Sequence, residues 1–273
     1  MKYKQTEMQE RHNNRKLYFD ELTETCSKYF LPYITRWHKV EAGMKVLEIG
    51  CGEGGNLLPF SKAGCDVTGV DIASCRIEEA QRFFIGKQAK GTFIADDVFN
   101  LKEPEHKYDI ILCHDVMEHL DHKDLFLLRI SDYLNKDGII FMAFPAWQMP
   151  FGGHQQICRN KILSHLPFVH LLPGVLYKEI IRLSGESDAY FNELMSIKRT
   201  QITIELFEKL VNQTDLMVKD RTLYLVNPHY QVKFGLNPRK LRFPFSSVPY
   251  LRNYLSSCCF YILKKANNRD FTR

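Results

Sequence analysis

Long unbroken apolar runs are missing from this chain of 273 residues. The most apolar stretch, from Ile162 to Ile181, is interrupted by His165, Pro167, His170, Pro173, Lys178 and Glu179, so it cannot form a continuous membrane span. The N-terminal residues, with Lys2, Lys4, Glu7, Glu10, Arg11, Arg15 and Lys16, contain no apolar core of the kind a secretory signal needs, which predicts a cytoplasmic protein. Paired cysteine spacing is also missing. The eight cysteines, at 26, 51, 65, 75, 113, 158, 258 and 259, include no Cys-x-x-Cys, so neither a disulfide framework nor a common zinc pattern is expected. Several, such as Cys113 after Ile110, Ile111 and Leu112, fall in apolar runs where a thiol behaves as a small hydrophobe. Charge of one sign is not in large excess either: 37 Lys and Arg against 32 Asp and Glu leave +5. That falls short of a dedicated nucleic-acid binder and favours an anionic ligand only weakly. Ser164 and Ser184 lack a Gly-x-Ser-x-Gly context, so a serine nucleophile is not supported, and there is no internal repeat.

What is present is ordinary globular composition, 45% apolar and 25% charged, arranged as alternating short apolar runs and amphipathic stretches from Lys45 to Phe144. That alternation is the pattern of strands joined through helices into a parallel sheet. Strands are expected at 45–49, 66–70, 92–95, 109–113 and 139–144. A helix over 56–62 follows the first. Ser74 reads as the cap of a helix carrying Ile77, Ala80 and Phe84 on one face. Asp121 with Asp124 opens another, which stops at the turn Asn135-Lys136-Asp137-Gly138. After Pro145 the alternation fails for about fifty residues, a length that marks a functional insertion. It resumes with a helix over 202–211, a strand over 216–226 and a final strand over 254–263, separated by an aromatic and basic loop over 227–253.

The most informative segment is Val46-Leu47-Glu48-Ile49-Gly50-Cys51-Gly52-Glu53-Gly54-Gly55, a strand entering a glycine-rich turn and then a helix. The turn needs residues without a Cβ if a ligand is to approach its backbone. Gly50, Gly52 and Gly55 alone also satisfy the dinucleotide-binding Gly-x-Gly-x-x-Gly, and Asp71 suits either a nicotinamide or another ribose-bearing ligand. The separation comes from Glu48, two residues before the first glycine, and from Asp96-Asp97 after the third strand.

In order, Glu48-x-Gly50-x-Gly52-x-Gly54, Val70-Asp71-Ile72, Asp96-Asp97-Val98 and Tyr108-Asp109-Ile110-Ile111 resemble the motifs of class I S-adenosylmethionine-dependent methyltransferases, over about residues 40 to 145. The resemblance implies an α/β, Rossmann-like, doubly wound sheet of seven mostly parallel strands with helices on both faces and a helical or loop insertion after the fifth strand. It divides the chain into an N-terminal helical cover (1–40), the cofactor-binding half (41–145), an acceptor-side insertion or lid (146–200) and the C-terminal part of the same domain (201–273). It implies S-adenosyl-L-methionine as cofactor and S-adenosyl-L-homocysteine as product. Glu48, Gly50, Cys51, Gly52 and Gly54 would face the methionine and ribose, Asp71 would hold the ribose, and Ile72 would pack on adenine. Asp97, or Asp96 one residue earlier, would accept from the adenine amino group beside the Val98 N–H. The backbone at Cys113 and His114 would lie near the amino-acid end.

Methyl transfer from a sulfonium needs alignment above all, and a base only where the acceptor must lose a proton. Two groups of residues are placed for this. On a helix, Asp115, Glu118 and His119 would share one face, as a helix start beside the cofactor or as ligands of a divalent metal. The trio is similar to the acidic-x-x-Glu-His motif of ubiquinone-biosynthesis and small-RNA O-methyltransferases, which implies the metal alternative. Further on, Gly152-Gly153 would let the backbone fold His154 inward as a base, a metal ligand or a hydrogen-bonded lid residue. His154 and His119 are therefore the candidate catalytic residues. The remaining histidines, at 12, 38, 106, 122, 165, 170 and 229, are read mostly as surface or lid residues.

The segment Phe144-Pro145-Ala146-Trp147 to Pro150-Phe151-Gly152-Gly153-His154-Gln155 looks like that of bacterial methyltransferases of surface-polysaccharide or lipid-linked assembly. The expected acceptor is accordingly a small molecule, sugar or other glycan, or lipid-linked compound, methylated at oxygen. Arg239, Lys240 and Arg242 would face a phosphate or an anionic membrane surface in peripheral contact, or simply solvate a loop. No specific nucleic acid is expected. The alternatives are a nucleic-acid methyltransferase, a metal-dependent O-methyltransferase, or a cofactor-binding regulatory protein without catalysis.

Overall fold

The computed structural model describes residues 14–102 and 106–266. Lys2, Lys4, Glu7, Glu10, Arg11 and His12 lie outside the described residues, as does part of the expected N-terminal cover. The chain begins with α1 (Arg15–Thr25), passes through a wider turn at Cys26–Phe30 into α2 (Leu31–Ile34), and then enters the sheet. In chain order follow β1 (Lys45–Ile49), α3 (Leu58–Lys62), β2 (Asp66–Asp71), α4 (Ser74–Gly86), β3 (Thr92–Ala95), β4 (Tyr108–His114), α5 (Lys123–Tyr133) and β5 (Leu134–Phe144). The insertion holds α6 (Lys161–His165), α7 (Gly174–Leu183) and α8 (Asp188–Thr200). The chain closes with α9 (Ile204–Val211), β6 (Leu216–Val226), α10 (His229–Phe234), β7 (Arg239–Lys240), α11 (Leu251–Leu255) and β8 (Cys258–Lys265).

The strands form one sheet in the order β3-β2-β1-β4-β5-β8-β6-β7. The pairs from β3 to β5 are parallel, and β8 is antiparallel to both its neighbours, β5 and β6. Residues alternate between the faces with period two. Val46, Ile110, Leu112, Ile139 and Phe141 join α1, α3 and α4 in one core, while Leu47, Ile49, Ile111, Cys113, Ile140 and Met142 join α5 and α9 in the other. Covering both faces explains why these strands read as continuous apolar runs. The insertion has a small apolar cluster of its own, with Cys158, Leu163, Val169, Tyr177, Ile181 and Leu194.

Several local expectations are corrected. The sheet has eight strands and not seven, because the exposed pair Arg239–Lys240 adds to β6 through main-chain pairing that no hydrophobic pattern announces. The last strand starts at Cys258, since Leu251–Leu255 is helical. The helix expected over 56–62 opens as a tight turn, Gly55–Leu57. Ser74 is not a cap but the first helical residue; the Ala73 N–H donates to Asp71 Oδ1 at 2.9 Å. Asp121 does not open α5, which begins after His122, and instead accepts two hydrogen bonds from Arg199. The α9 helix starts at Ile204 behind Thr203, whose hydroxyl accepts from the Leu206 N–H. The turn expected at Asn135–Gly138 is absorbed into β5 as an irregularity between the pairs Tyr108 with Leu134 and Ile110 with Ile139.

Candidate active site

Strand order reverses between β1 and β4, whose neighbours β2 and β5 lead the sheet in opposite directions, and ligands of open α/β sheets bind beyond the carboxyl ends of strands at such a point. The glycine turn after β1 lies there. Gly50, Gly52 and Gly54 all have left-handed φ, at +69°, +50° and +78°. Gly50 is also sterically required, because a Cβ would lie 2.4 Å from Val116 Cγ2. Gly52 differs: a Cβ there would meet nothing within 4 Å, so its backbone faces open space. The turn is fixed from behind. The Gly50 and Cys51 N–H groups donate to the Val70 carbonyl, and the Gly52 N–H donates to Asp71 Oδ2 at 2.9 Å.

Asp71 thus ties the ends of β1 and β2 together and stays nearly buried, while Ile72 beside it is 78% exposed, an apolar shelf without a partner of its own. Asp96 and Asp97 shape the next turn: Asp96 Oδ1 accepts from the Asp97 N–H at 2.7 Å, and Asp97 Oδ1 accepts from the Phe99 N–H at 2.9 Å. Val98 is buried against the core below. Glu48 is buried under the loop; its Oε1 accepts from Asn56 Nδ2 at 2.7 Å, and burial pushes its carboxyl up to about 8. Its other oxygen has no hydrogen-bond partner among the described residues, nor does one oxygen of the fully buried Glu53 or Nε2 of His114. Orphaned buried polar atoms under an open glycine backbone suit a ligand carrying an amino group and hydroxyls, as S-adenosylmethionine does.

Residues missed by sequence reasoning complete this side. Arg15 on α1 bonds Glu53, and the Thr23 hydroxyl donates to the Gly55 carbonyl at 3.0 Å. Tyr18 lies within electrostatic reach of Asp115 and Glu53, and its hydroxyl is driven upward first by burial and then by those carboxylates. The first helix therefore covers the loop. Only the acidic Glu53 inside the motif could have hinted that a cation from elsewhere must reach it.

After β4 the expected helix over Asp115–His119 does not form. Asp115 takes φ +53°, and only a single tight turn, Met117–His119, follows, so Asp115, Glu118 and His119 do not share a helix face. The groups that converge are Glu118, His119 and His154, whose ligand atoms all lie within 4.8 Å of one another. Asp115 turns instead toward His114, with Oδ2 at 3.4 Å from Nε2. His114 itself packs on Phe30, ring centroids 4.9 Å apart.

His154 is delivered by the insertion. Gly152 and Gly153 allow this because Cβ atoms there would lie 2.2 Å from the Trp147 carbonyl oxygen and 2.2 Å from His170 Cβ, respectively. His154 occupies the left-handed region at φ +57°, its Nε2 lies 4.0 Å from Glu118 Oε1, and its ring meets His119 edge-on at 5.3 Å. Burial, then the neighbouring His119, lower its pKa to about 4, so the imidazole is neutral near pH 7. Burial also lowers the pKa of His119. Glu118 is 3% exposed with neither carboxylate oxygen hydrogen-bonded among the described residues, and burial followed by the Asp115 charge drives its carboxyl well upward. Nearby, Lys123 spends its ammonium protons on the Leu120 and Thr200 carbonyls and is held down to about 8 by burial. His170, within the insertion, and His229 are buried and are not surface residues. His170 Nε2 bonds the Trp147 carbonyl at 2.8 Å, and His229 Nδ1 meets the Thr25 hydroxyl at 2.7 Å.

Residues 12–163, more than half the chain, match the family described as a methyltransferase domain. Ubiquinone biosynthesis O-methyltransferase of Chelativorans sp. (strain BNC1) is 32% identical over 101 residues, 37% of this chain and 40% of that protein. The enzyme of the same name from Bartonella bacilliformis is 31% identical over 123 residues, 43% of this chain and 50% of that protein. The chain thus matches half or less of the length of these curated relatives. Among solved structures, magnesium protoporphyrin IX methyltransferase from Synechocystis PCC 6803, with bound S-adenosylhomocysteine, superposes with a TM-score of 0.55 at 15% identity, over 90% of this chain and 84% of that one. The plantazolicin methyltransferase, also in complex with S-adenosylhomocysteine, does so with a TM-score of 0.55 at 18% identity, over 96% and 91%. With its glycine turn, its ordered acidic strand ends and this match, the chain belongs to the methyltransferase-domain family of class I, S-adenosylmethionine-dependent enzymes.

Proposed function

We propose that the protein transfers a methyl group from S-adenosylmethionine to a hydroxyl oxygen of a small-molecule acceptor, with Glu118, His119 and His154 gathered around that hydroxyl. The observation that carries this reading is the convergence of one buried carboxylate and two imidazoles at the carboxyl end of β4, beside the glycine turn. The cofactor supplies an already activated methyl group, so the protein's task is alignment and management of one proton. Gly50, Gly52 and Gly54 with Asp71 hold the donor; Ile72 and the Asp96-Asp97 turn take its adenine end. His154, neutral near pH 7 and within reach of Glu118, accepts the proton that the hydroxyl must lose. The insertion keeps water from the reacting atoms. The names of the curated relatives support oxygen as the methylated atom and a small molecule as its carrier; a sugar or lipid-linked acceptor is equally compatible with an insertion of this length.

A second reading rests on the unpartnered oxygens of Glu118. Two imidazoles and a carboxylate are a ligand set that suits a divalent transition metal. A cation held by Glu118, His119 and His154 would acidify a bound hydroxyl, and Asp115 would not belong to the set.

Release of S-adenosylhomocysteine, measured with phenolic, sugar, lipid-linked and amine acceptors before and after EDTA treatment, tests both readings. Turnover of hydroxyl acceptors that survives EDTA supports the proton-accepting reading, while loss restored by Mg²⁺, Mn²⁺ or Zn²⁺ supports the second. Turnover of amines alone would overturn both.

A further inference from the structure

From Arg221 to Arg269 the sequence contains nine Lys and Arg and no Asp or Glu, although the whole chain has a net charge of only +5. The rest of the molecule is therefore net acidic, and the basic excess belongs to one continuous stretch. Its middle, between β6 and β8, projects Phe243, Phe245, Tyr250, Leu251 and Tyr254 into solvent, at 82%, 52%, 69%, 44% and 43% exposure. Arg239, Lys240 and Arg242 are exposed immediately beside them. None of the three has an ion pair among the described residues, whereas Arg252 in the same stretch is tied to Glu205 and Glu208.

These aromatics are held outward. Glu205 Oε1 accepts from the Tyr250 N–H at 2.9 Å and fixes that residue at φ +63°, a conformation that non-glycine residues rarely adopt. Glu205 also takes the side chain of Asn253, whose Oδ1 accepts from the Ile204 N–H at 2.8 Å. A segment stapled this firmly to α9 could fold its rings inward only by breaking these bonds. Its apolar face stays largely exposed.

We infer that the segment 239–254 is a docking surface for an anionic lipid bilayer, with its aromatic tip seated at the headgroup boundary and Arg239, Lys240 and Arg242 on acidic headgroups. Aromatic rings flanked by cations are what an interface between hydrocarbon and anionic headgroups selects. Complementary charge commits the surface to this partner, because its unpaired cations surround the apolar tip and no carboxylate lies in the segment. Position adds a consequence. β6 ends and β8 begins at the edge where Phe144 of β5 pairs with Cys259, the same edge that carries His154 and the glycine turn. A Phe168 to Tyr254 ring contact at 6.5 Å joins the surface to the insertion. Docking would turn the open edge of the site toward the bilayer. The inference does not depend on which acceptor is methylated.

The test is flotation of the full chain with phosphatidylcholine vesicles, with and without about one third phosphatidylglycerol. The wild type is expected to float only with the anionic vesicles, and less so in high salt. The triple variant R239E/K240E/R242E should lose roughly a hundredfold in partitioning. The variant F243S/F245S should also detach, with thermal melting and S-adenosylmethionine affinity unchanged in both. No flotation of the wild type with anionic vesicles would overturn the inference, as would equal flotation of the variants. Absence of flotation together with a dimer that F243S/F245S dissociates, or with salt-sensitive binding to RNA, would assign the surface to a second copy or to nucleic acid instead.

Discussion

The two halves of the site treat buried carboxylates in opposite ways. On the cofactor side Asp71 is bonded to the Gly52 and Ala73 N–H groups, Glu48 to Asn56, and Glu53 to Arg15. On the acceptor side Glu118 has neither oxygen hydrogen-bonded among the described residues, and its nearest imidazole nitrogen from the insertion lies 4.0 Å away. Each carboxylate of the first half is anchored by its own fold through at least one oxygen, with one oxygen of Glu48 and one of Glu53 left without a partner among the described residues. The second keeps polar groups without hydrogen-bond partners among the described residues, which suits the proposed encounter with a reacting hydroxyl.

The sharpest way to break this contrast is in the glycine turn. Gly50→Ala combines a left-handed backbone with a Cβ 2.4 Å from Val116, and should cost about 4 kcal/mol of stability and abolish S-adenosylmethionine binding. Gly52→Ala meets no neighbour, so it should cost only about 1 kcal/mol in chemical denaturation while still weakening cofactor affinity. Equal melting of the two variants would remove the distinction between a packed and a ligand-facing glycine. On the acceptor side, His154→Ala is expected to lower turnover about a hundredfold with the cofactor Kd unchanged. If calorimetry finds cofactor affinity falling in parallel, His154 belongs to the cofactor side after all.

Behind both lies His170, fully buried, bonded to the Trp147 carbonyl, with the Lys198 ammonium nearby on the His170 and Leu172 carbonyls. Burial lowers its pKa from 6.5 to about 4, so the fold holds it neutral while the unfolded chain takes a proton below pH 6.5. Its contribution is complete above that pH and is lost as pH falls from 6.5 toward 4, by roughly 2 to 3 kcal/mol. Urea titrations from pH 7 to 4 should show that slope, and His170→Gln should flatten it. The smallest effect is expected from Glu118→Gln, which removes a buried ionisable side chain without a hydrogen-bond partner among the described residues. Stability should stay level or rise by about 1 kcal/mol while turnover drops at least tenfold. A loss of stability would make Glu118 a structural residue.

How much of this was legible depends on the range of the interactions. The parallel strands from Lys45 to Phe144 and the glycine turn follow from local pattern, because a strand buried on both faces must be apolar throughout and a left-handed turn must use glycine. The β6 strand was readable from its apolar ends, although Lys219, Asp220 and Arg221 interrupt it and it is only partly buried. Helix starts were not: Ser74 and Asp121 have the residue types of caps, but Asp71 accepts the Ala73 N–H ahead of α4 and Asp121 accepts from Arg199 instead of capping α5. β7 was invisible because an exposed two-residue strand is made by main-chain pairing alone.

The sequence by itself determined the parallel strands from Lys45 to Phe144, the position of the glycine turn and the candidacy of His154 and His119, with Glu118 as an alternative metal ligand. Only the tertiary structure decided which residues meet. Asp115 left the cluster because one left-handed residue broke the helix that would have aligned it, and His154 entered from 36 positions beyond Glu118 because Gly152 and Gly153 let the insertion close against Trp147 and His170. Arg15 reached Glu53 across an even longer separation. Periodicity reports which face of an element is buried. It carries no information about which distant side chain will arrive there, since that is settled by packing among elements that are not neighbours in the chain.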